Sequence, residues 1–206
     1  MHLEAVMPLE PQTHDHPYPA LSRPRYEAGS YALVPVRRAD MEPLRRWRND
    51  QRHDLGQDEE IPFAEQVLFW SEMVAPGQAT PEPARMLFAL LLRERLAGVG
   101  ELAGIDWFHR RARLEVVLET SRAGRTAICR TETLLAVRLL QRIAFGELGL
   151  RRLTATSTPR RRHHQALLEE CGFRPEGRLR EHLCLDGEWH DLVLHGILRA
   201  DYTTKL

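Results

Sequence analysis

The decisive stretch of the chain reads Ala112-Arg113-Leu114-Glu115-Val116-Val117-Leu118-Glu119, then Thr120-Ser121-Arg122-Ala123-Gly124-Arg125-Thr126-Ala127-Ile128-Cys129-Arg130, then a helical pattern from Thr131. The first run is rich in apolar and β-branched residues, which predicts a strand. Apolar residues at spacings of three and four then predict a helix to about Leu148, ended by Gly149. A strand that enters a helix through a short loop directs free backbone N–H groups and the positive end of the helix dipole at one point. This stretch therefore predicts a pyrophosphate site.

The bulk composition bounds the class of protein. The 206 residues suit one domain, and 43% of them are hydrophobic, which is enough for a core. Lys plus Arg and Asp plus Glu balance at 29 each, so net charge gives no sign of a nucleic-acid or membrane partner. Three widely spaced cysteines without a CxxC motif predict reduced thiols and no metal site. The chain has no apolar run of the ~18 residues needed to span a membrane and no apolar signal core, so we expect a cytoplasmic protein.

The N-terminal residues differ in composition from the rest of the chain. Five prolines and no apolar periodicity predict an extended tail over residues 1–28, followed by a single domain over residues 29–206. Within the tail, His14-Asp15-His16 has metal-ligating side chains, but three polar residues in a proline-rich segment are expected to be solvated.

Periodicity and turn residues predict the remaining elements. Strands are expected at 31–36, 86–92, 98–105, 112–119, 152–156, 179–185 and 189–198, and helices at 41–50, 63–74, 131–148 and 159–171. The second, third and fourth strands follow one another closely, which predicts an antiparallel meander. Asp186-Gly187 predicts a hairpin between the last two strands. The order indicates an α/β domain whose mixed, mostly antiparallel sheet of six to seven strands is flanked by about four helices.

Several short motifs in a fixed order carry a resemblance to a known family. They are Leu44-Arg45-Arg46-Trp47-Arg48-Asn49-Asp50, Gly98-Val99-Gly100, Gly104-Ile105-Asp106-Trp107 with Arg110-Arg111-Ala112, Ala144-Phe145 with Leu148-Gly149-Leu150-Arg151-Arg152-Leu153, Cys171-Gly172-Phe173-Arg174-Pro175-Glu176-Gly177-Arg178-Leu179-Arg180, and Asp186-Gly187-Glu188-Trp189. From about Ser30 to Tyr202 the chain resembles the GNAT (Gcn5-related) N-acetyltransferases. More narrowly, it is similar to the branch that includes ribosomal-protein N-terminal and amino-sugar acetyltransferases.

This resemblance implies the GNAT fold, with acetyl-CoA as co-substrate and no metal. The cofactor would lie where the fourth and fifth predicted strands splay apart, its pantetheine pairing with Val116, Val117 and Leu118. Its phosphates would lie against the loop and nearby arginines. The residues expected to contact them are Arg122, Gly124, Arg125, Thr126, Ala127, Arg130 and Arg161.

The sequence also departs from the family pattern. The family's phosphate loop carries glycines that take positive φ freely, and here those positions hold Thr126 and Ile128, or Thr131 and Thr133 in a second alignment. The later helix has Arg161 at a position where relatives often have asparagine, and it has Leu168 where relatives have the tyrosine that protonates the thiolate. These departures leave Gly124 to supply the flexibility of the loop.

The resemblance implies catalytic and acceptor residues as well. Glu115 is the candidate general base, because some relatives place a base on this strand. His164 is the candidate acid for the leaving thiolate, since an unperturbed histidine titrates near neutrality. Arg48, Asn49 and Trp107 lie in regions that shape the acceptor pocket in relatives.

Three hypotheses for the function follow. The first is acetyl transfer from acetyl-CoA to a primary amine, either a protein N-terminus or an amino-sugar-like small molecule. The second is a binding module that keeps the GNAT scaffold without acetyl-CoA, and the third is a transferase with another donor, a bulkier acyl-CoA or an aminoacyl-tRNA. The arginine-rich stretch at 151–162 is the only support for tRNA. A monomer or homodimer without a membrane partner is expected.

Overall fold

The computed structural model describes residues 18–203. Their strands form one eight-stranded sheet in the order β1-β2-β3-β4-β5-β6-β8-β7. The strands are β1 Tyr26–Ala28, β2 Tyr31–Pro35, β3 Arg85–Leu92, β4 Arg95–Asp106, β5 Arg111–Leu118, β6 Arg152–Ser157, β7 Arg174–Leu185 and β8 Glu188–Leu198. All neighbours pair antiparallel except β5 and β6, which are parallel. The predicted mixed, mostly antiparallel sheet is confirmed, with one strand more than expected.

Six helices accompany the sheet in the described part of the chain. They are α1 Met41–Asp50, α2 Phe63–Phe69, α3 Ala75–Gln78, α4 Thr120–Ala123, α5 Thr126–Arg142 and α6 Arg162–Glu170. A π-helical turn, Trp70–Val74, joins α2 to α3, and a second one, Ile143–Glu147, extends α5. The predicted helix at 63–74 therefore continues past Pro76, because proline is tolerated in the first turn of α3.

The two faces of the sheet carry separate cores. One face packs against α5, and its strands contribute Leu114, Val116 and Leu118. The other face packs against α1 and the α2 region, with Val99 and Val117 among its buried residues. Because side chains alternate along a strand, Glu115 shares the second face with Val117, as predicted.

The only parallel pair in this sheet is short. β5 and β6 pair over 111–113 and 152–154 alone, and beyond these residues the two strands diverge. β6 instead continues its ladder with β8 as far as Ser157. The divergence of the two strands, called the fork below, leaves one edge of β5 without a strand partner at residues 114–118. It confirms the splay expected between the fourth and fifth predicted strands, which correspond to β5 and β6.

The last part of the predicted N-terminal tail lies on the domain. Residues 18–28 pack on the domain, and β1 pairs with β2. Tyr18 is buried, and its hydroxyl donates to the Leu87 carbonyl and accepts from the Leu87 N–H at 2.8 Å. The Tyr18 hydroxyl thus bonds the β3 backbone just beyond the last residue that pairs with β2. His14-Asp15-His16 lies outside the described residues.

The predicted loop at 120–130 is corrected. α4 occupies its first four residues, and α5 starts at Thr126 instead of Thr131. The Arg122 guanidinium pairs with the carboxylate of Glu132, which is fully buried. The hydroxyl of Tyr31 donates to the same carboxylate at 3.0 Å. This ion pair ties α4 to α5 and leaves only Gly124 and Arg125 between the two helices.

Candidate active site

The free edge of β5 presents backbone groups to the fork. The Glu119 N–H donates to the Ala97 carbonyl across β4, whereas the Leu118 carbonyl accepts from the Gln51 side chain on the opposite side at 2.9 Å. Backbone groups alternate in direction along a strand, so Val116 directs its N–H and C=O into the fork. Val117 directs its N–H and C=O toward β4. Of the three predicted pantetheine contacts, Val116 and Leu118 have the required direction.

Two adjoining cavities lie within the fork. The first, of about 80 Å³, lies between β5, β6 and α6, and the second, of about 250 Å³, continues to the start of α5. Both are lined by Asp54, Val116, Arg161 and His164. Ser157, at the end of β6, lines the first cavity, and its buried hydroxyl has no hydrogen-bond partner among residues 18–203. A buried hydroxyl without a partner is costly, so the Ser157 hydroxyl is available to a polar ligand in the fork.

The start of α5 closes the second cavity. Its N-cap, Arg125, makes no side-chain capping bond, so the N–H groups of Thr126, Ala127 and Ile128 lack intrahelical partners. Such free N–H groups and the helix dipole are what the predicted phosphate site requires, and that site stays a prediction. Gly124 does not supply the expected flexibility, because its φ is −75°, an ordinary right-handed value. The turn therefore forms without the glycines of the family motif.

The predicted phosphate arginines differ in their availability. Arg122 is bound to Glu132, and Arg130 forms a two-point pair with Glu170. Arg125 is exposed at the start of α5. Arg161 lines both cavities of the fork, and burial lowers the pKa of its guanidinium. Arg161 is thus the arginine best placed to bind a phosphate in the fork, whereas Arg122 and Arg130 are already paired with carboxylates.

His164 lies in the fork but not in the expected charge state. Burial lowers its pKa to about 3, and the positive charge of Arg161 acts in the same direction. The premise of a histidine that titrates near neutrality is therefore corrected. At physiological pH His164 is a neutral imidazole, which donates one N–H and accepts at its other nitrogen.

Glu115 lies where the fork opens toward α1 and α2. It lines the first cavity and a third cavity of about 240 Å³ on the second face of the sheet. Its carboxylate accepts from the Arg113 Nε at 2.7 Å. Directly across the ladder lies Glu101 on β4, which is buried, and the pKa of Glu101 is raised by burial. Glu101 was not a predicted site residue, although a glutamate between Gly100 and Leu102 in a buried strand is a visible signal.

Of the three predicted acceptor residues, Arg48 lines the site, whereas Asn49 and Trp107 lie outside it. Arg48 lines both the first and the third cavity. Asn49 has its amide oxygen and nitrogen bonded to the backbone of Ile61, so it holds the loop after α1. Trp107 donates to the Pro83 carbonyl at 3.0 Å and packs on the other core. The structure therefore brings Arg48 to the cavities but places Asn49 and Trp107 away from them.

The remaining sequence predictions concern a tRNA partner, a metal ion and a membrane. In the stretch 151–162, Arg152 pairs with Glu176 and Arg161 faces the fork, and a tRNA partner stays a prediction. Within residues 18–203 there is no group of three or more His, Cys, Asp or Glu side chains that could hold a metal ion. Over the same range no helix is long and apolar enough to cross a membrane.

The family follows from this geometry and from comparison with known sequences. Residues 33–194 match the model of the acetyltransferase (GNAT) domain, and the chain belongs to this family. It is 30% identical over 116 residues to the spermidine N(1)-acetyltransferase of Vibrio cholerae and 29% identical over 116 residues to the putative ribosomal N-acetyltransferase YdaF of Bacillus subtilis. These alignments cover 55% of this chain, and they span 62% and 59% of the two relatives.

Comparison with solved structures supports the same fold. The crystal structure of spermidine N-acetyltransferase from Vibrio cholerae in complex with CoA and spermine superposes with a TM-score of 0.73. The superposition covers 85% of this chain and 99% of that one at 21% identity. The GNAT fold predicted from the sequence is therefore confirmed.

Proposed function

We propose that this protein is an N-acetyltransferase that moves an acetyl group from acetyl-CoA to a primary amine. The observation that carries the proposal is the fork itself. The free edge of β5 lies on one side, and the uncapped start of α5 and Arg161 lie at one end. Membership of the acetyltransferase family and the CoA-bound structural neighbour support the choice of cofactor.

The residues of the fork suit the parts of this cofactor. The backbone of Val116 and Leu118 suits the pantetheine amides, and the Ser157 hydroxyl offers one more polar contact. The N–H groups at the start of α5, with Arg161, suit the pyrophosphate. Acetyl-CoA supplies the activated acetyl group, whose carbonyl carbon the amine attacks directly.

The proton chemistry falls to side chains on either side of the fork. Glu115 lies on the acceptor side and takes a proton from the ammonium of the acceptor, either directly or through a water molecule, so that the neutral amine attacks the acetyl carbonyl. His164, as a neutral imidazole, orients a hydrogen bond toward the sulfur, and the proton that neutralises the thiolate comes from solvent. The amine enters past α1 and α2, through the cavity that Glu115 shares with Arg48.

Calorimetry tests the cofactor directly. Acetyl-CoA and free CoA are titrated into the wild type, Arg161→Gln and Arg162→Gln. Loss of a charge-assisted hydrogen bond predicts about 10- to 100-fold weaker binding for Arg161→Gln. Arg162, exposed at the start of α6, is the matched control and should bind normally. Absence of heat for the wild type at high micromolar ligand would overturn acetyl-CoA as the donor.

Turnover tests the general base. Thiol release from acetyl-CoA is followed with a panel of amines for the wild type and Glu115→Gln. Loss of a positioned base predicts a kcat lower by about 100-fold with acetyl-CoA affinity unchanged. Glu72→Gln, on an exposed helical surface, serves as the control. A kcat equal to that of the wild type would remove Glu115 from the mechanism.

One observation favours a second candidate, a binding module without acetyl-CoA. The loop arginine Arg122 is committed to Glu132 and the family glycines are absent, so part of the usual phosphate site is missing. The calorimetric titration decides between the two candidates. The ribosomal or amino-sugar branch, a cytoplasmic location and a monomeric or homodimeric state remain proposals of the same kind.

A further inference from the structure

Arg48 differs from the arginines around it. Arg45 and Arg46 pair with Glu42, Arg85 lies 3.0 Å from Glu101, and Arg113 pairs with Glu115. Among residues 18–203 the Arg48 guanidinium has neither a hydrogen bond nor an ion pair, and its Nε is buried without a partner. A buried N–H donor without a partner has a free-energy cost that an anionic ligand can offset.

The position of Arg48 connects this unused charge to the reaction. It lines the fork cavity, the third cavity and an outer cavity of about 390 Å³ that opens beside the loop before α2. It therefore lies on the path from the surface to Glu115, which lines the first two of these cavities. An acceptor whose amine reaches Glu115 must pass the Arg48 side chain.

The charges along this path specify the acceptor. Glu115, the proposed base, receives the amine at the inner end, whereas the planar fork of Arg48 suits a carboxylate in two-point contact. The outer cavity carries Glu59, Glu60 and Glu65, yet none of them forms an ion pair with Arg48. The charge of Arg48 acts on the buried Glu101, but within residues 18–203 its N–H groups form no hydrogen bond and stay available to a ligand.

We infer that the acceptor is an amino-acid-like molecule, a primary amine with a neighbouring carboxylate that Arg48 binds. This inference rests on the proposed acetyltransferase activity and makes Arg48 the residue that determines specificity. A polyamine has no anionic group for Arg48 and would leave the Arg48 N–H groups without a partner.

The test compares matched acceptors. The panel holds the twenty common amino acids, their α-carboxamides and spermidine, each assayed by thiol release from acetyl-CoA. For the preferred side chain we expect kcat/KM for the acid to exceed that for the carboxamide by about 10-fold or more, the size of one charge-assisted contact. Equal or faster turnover of the carboxamides or of spermidine, or no turnover of any free amino acid, would overturn the inference.

Variants test whether the preference for the acid over the carboxamide depends on Arg48. We expect Arg48→Gln to raise KM for the acid about 10- to 100-fold and to leave the carboxamide unchanged, so that the preference disappears. Arg48→Lys should restore part of it, because an ammonium is a point charge without the planar fork. Arg46→Gln, on the same helix but outside the three cavities, is the control. An equal loss for acid and carboxamide would mean that Arg48 only supports the fold or the reaction, and would overturn the assignment.

Calorimetry in parallel separates this inference from the proposed function. If the wild type fails to bind acetyl-CoA, the proposed function itself is wrong. If the wild type and Arg48→Gln bind acetyl-CoA equally and the acids show no advantage, the amino-acid-like acceptor is wrong and the transferase stands.

Discussion

His164 shows how the fork controls the properties of a single residue. Its imidazole lies beside Arg161 and close to His163 and His195, so a positive charge on His164 is opposed by burial and by its neighbours. The chain therefore holds His164 neutral, which keeps one N–H donor and one acceptor available in the fork at physiological pH.

The depressed pKa of His164 makes a prediction about acid stability. The unfolded histidine binds a proton near pH 6.5, whereas the folded one does so only near pH 3. Between these values the unfolded state binds more protons, so the stabilising effect of neutral His164 is full above pH 6.5 and is lost as pH falls. We expect His164→Gln to lose less Tm than the wild type between pH 7.5 and pH 5.0, measured by thermal unfolding.

A matched variant shows whether this effect belongs to the fork. His163→Gln changes the preceding, exposed histidine and should reproduce the Tm change of the wild type over the same pH range. An identical pH dependence for wild type and His164→Gln would show that His164 titrates normally in the folded protein.

At the scale of single elements, β4 must approach β5 closely for the fork to form beside it. A Cβ built on Gly98 would lie 2.9 Å from the Val117 carbonyl oxygen and 2.9 Å from the Leu118 side chain. The first of these contacts is to backbone, which cannot rotate away. This close approach explains why the Gly98-Val99-Gly100 motif carries glycine at its start.

The crowding at Gly98 predicts a specific loss of stability. We expect Gly98→Ala to destabilise the protein by about 1–3 kcal/mol, because β4 and β5 must move apart to admit the methyl group. Gly146→Ala is the control, since nothing lies within 4 Å of its Cβ and its φ is not positive. That change should be neutral or stabilising by up to about 1 kcal/mol. Urea unfolding measures both, and equal midpoints would show that β4 tolerates the side chain.

Local pattern explains which elements were predictable from sequence. The apolar runs of β3 and α5 have the period of their element, so their existence was confirmed. The start of α5 was missed because Thr120 to Arg130 has the composition of a loop. The pair between Arg122 and buried Glu132, ten residues apart, holds that segment in helical form. An ion pair of this kind has no local signature in the sequence.

The candidate site was predictable to a similar extent. The β5 edge and Arg161 follow from element order, and the structure brings them together. Asn49 and Trp107 lie outside the cavities, and their polar groups bind backbone at Ile61 and Pro83. Composition does not distinguish a side chain that binds a loop from one that binds a substrate. Arg48 stands out only once the partners of its neighbours are known.

At the scale of the whole molecule, the sheet separates the proposed cofactor side from the proposed acceptor side. α5 and α6 lie with the fork on the side where the cofactor is proposed to bind, while α1 and α2 cover the face through which the acceptor would approach. The fork between β5 and β6 is the point where both sides meet, so the two substrates can reach it without competing for one surface. The three cysteines lie in three different environments of this fold.

The alkylation rate of each cysteine can therefore report where acetyl-CoA binds. Cys129 lines the second cavity, Cys184 is exposed on β7, and Cys171 is buried with its pKa raised to about 11. We expect acetyl-CoA at ten times its Kd to slow alkylation of Cys129 by N-ethylmaleimide about 10-fold, because only free protein reacts. Cys184 should react at an unchanged rate, and Cys171 should stay unreactive because thiolate is scarce and shielded. Mass spectrometry of each peptide gives the rates, and equal labelling of Cys129 with and without acetyl-CoA would place the cofactor outside the fork.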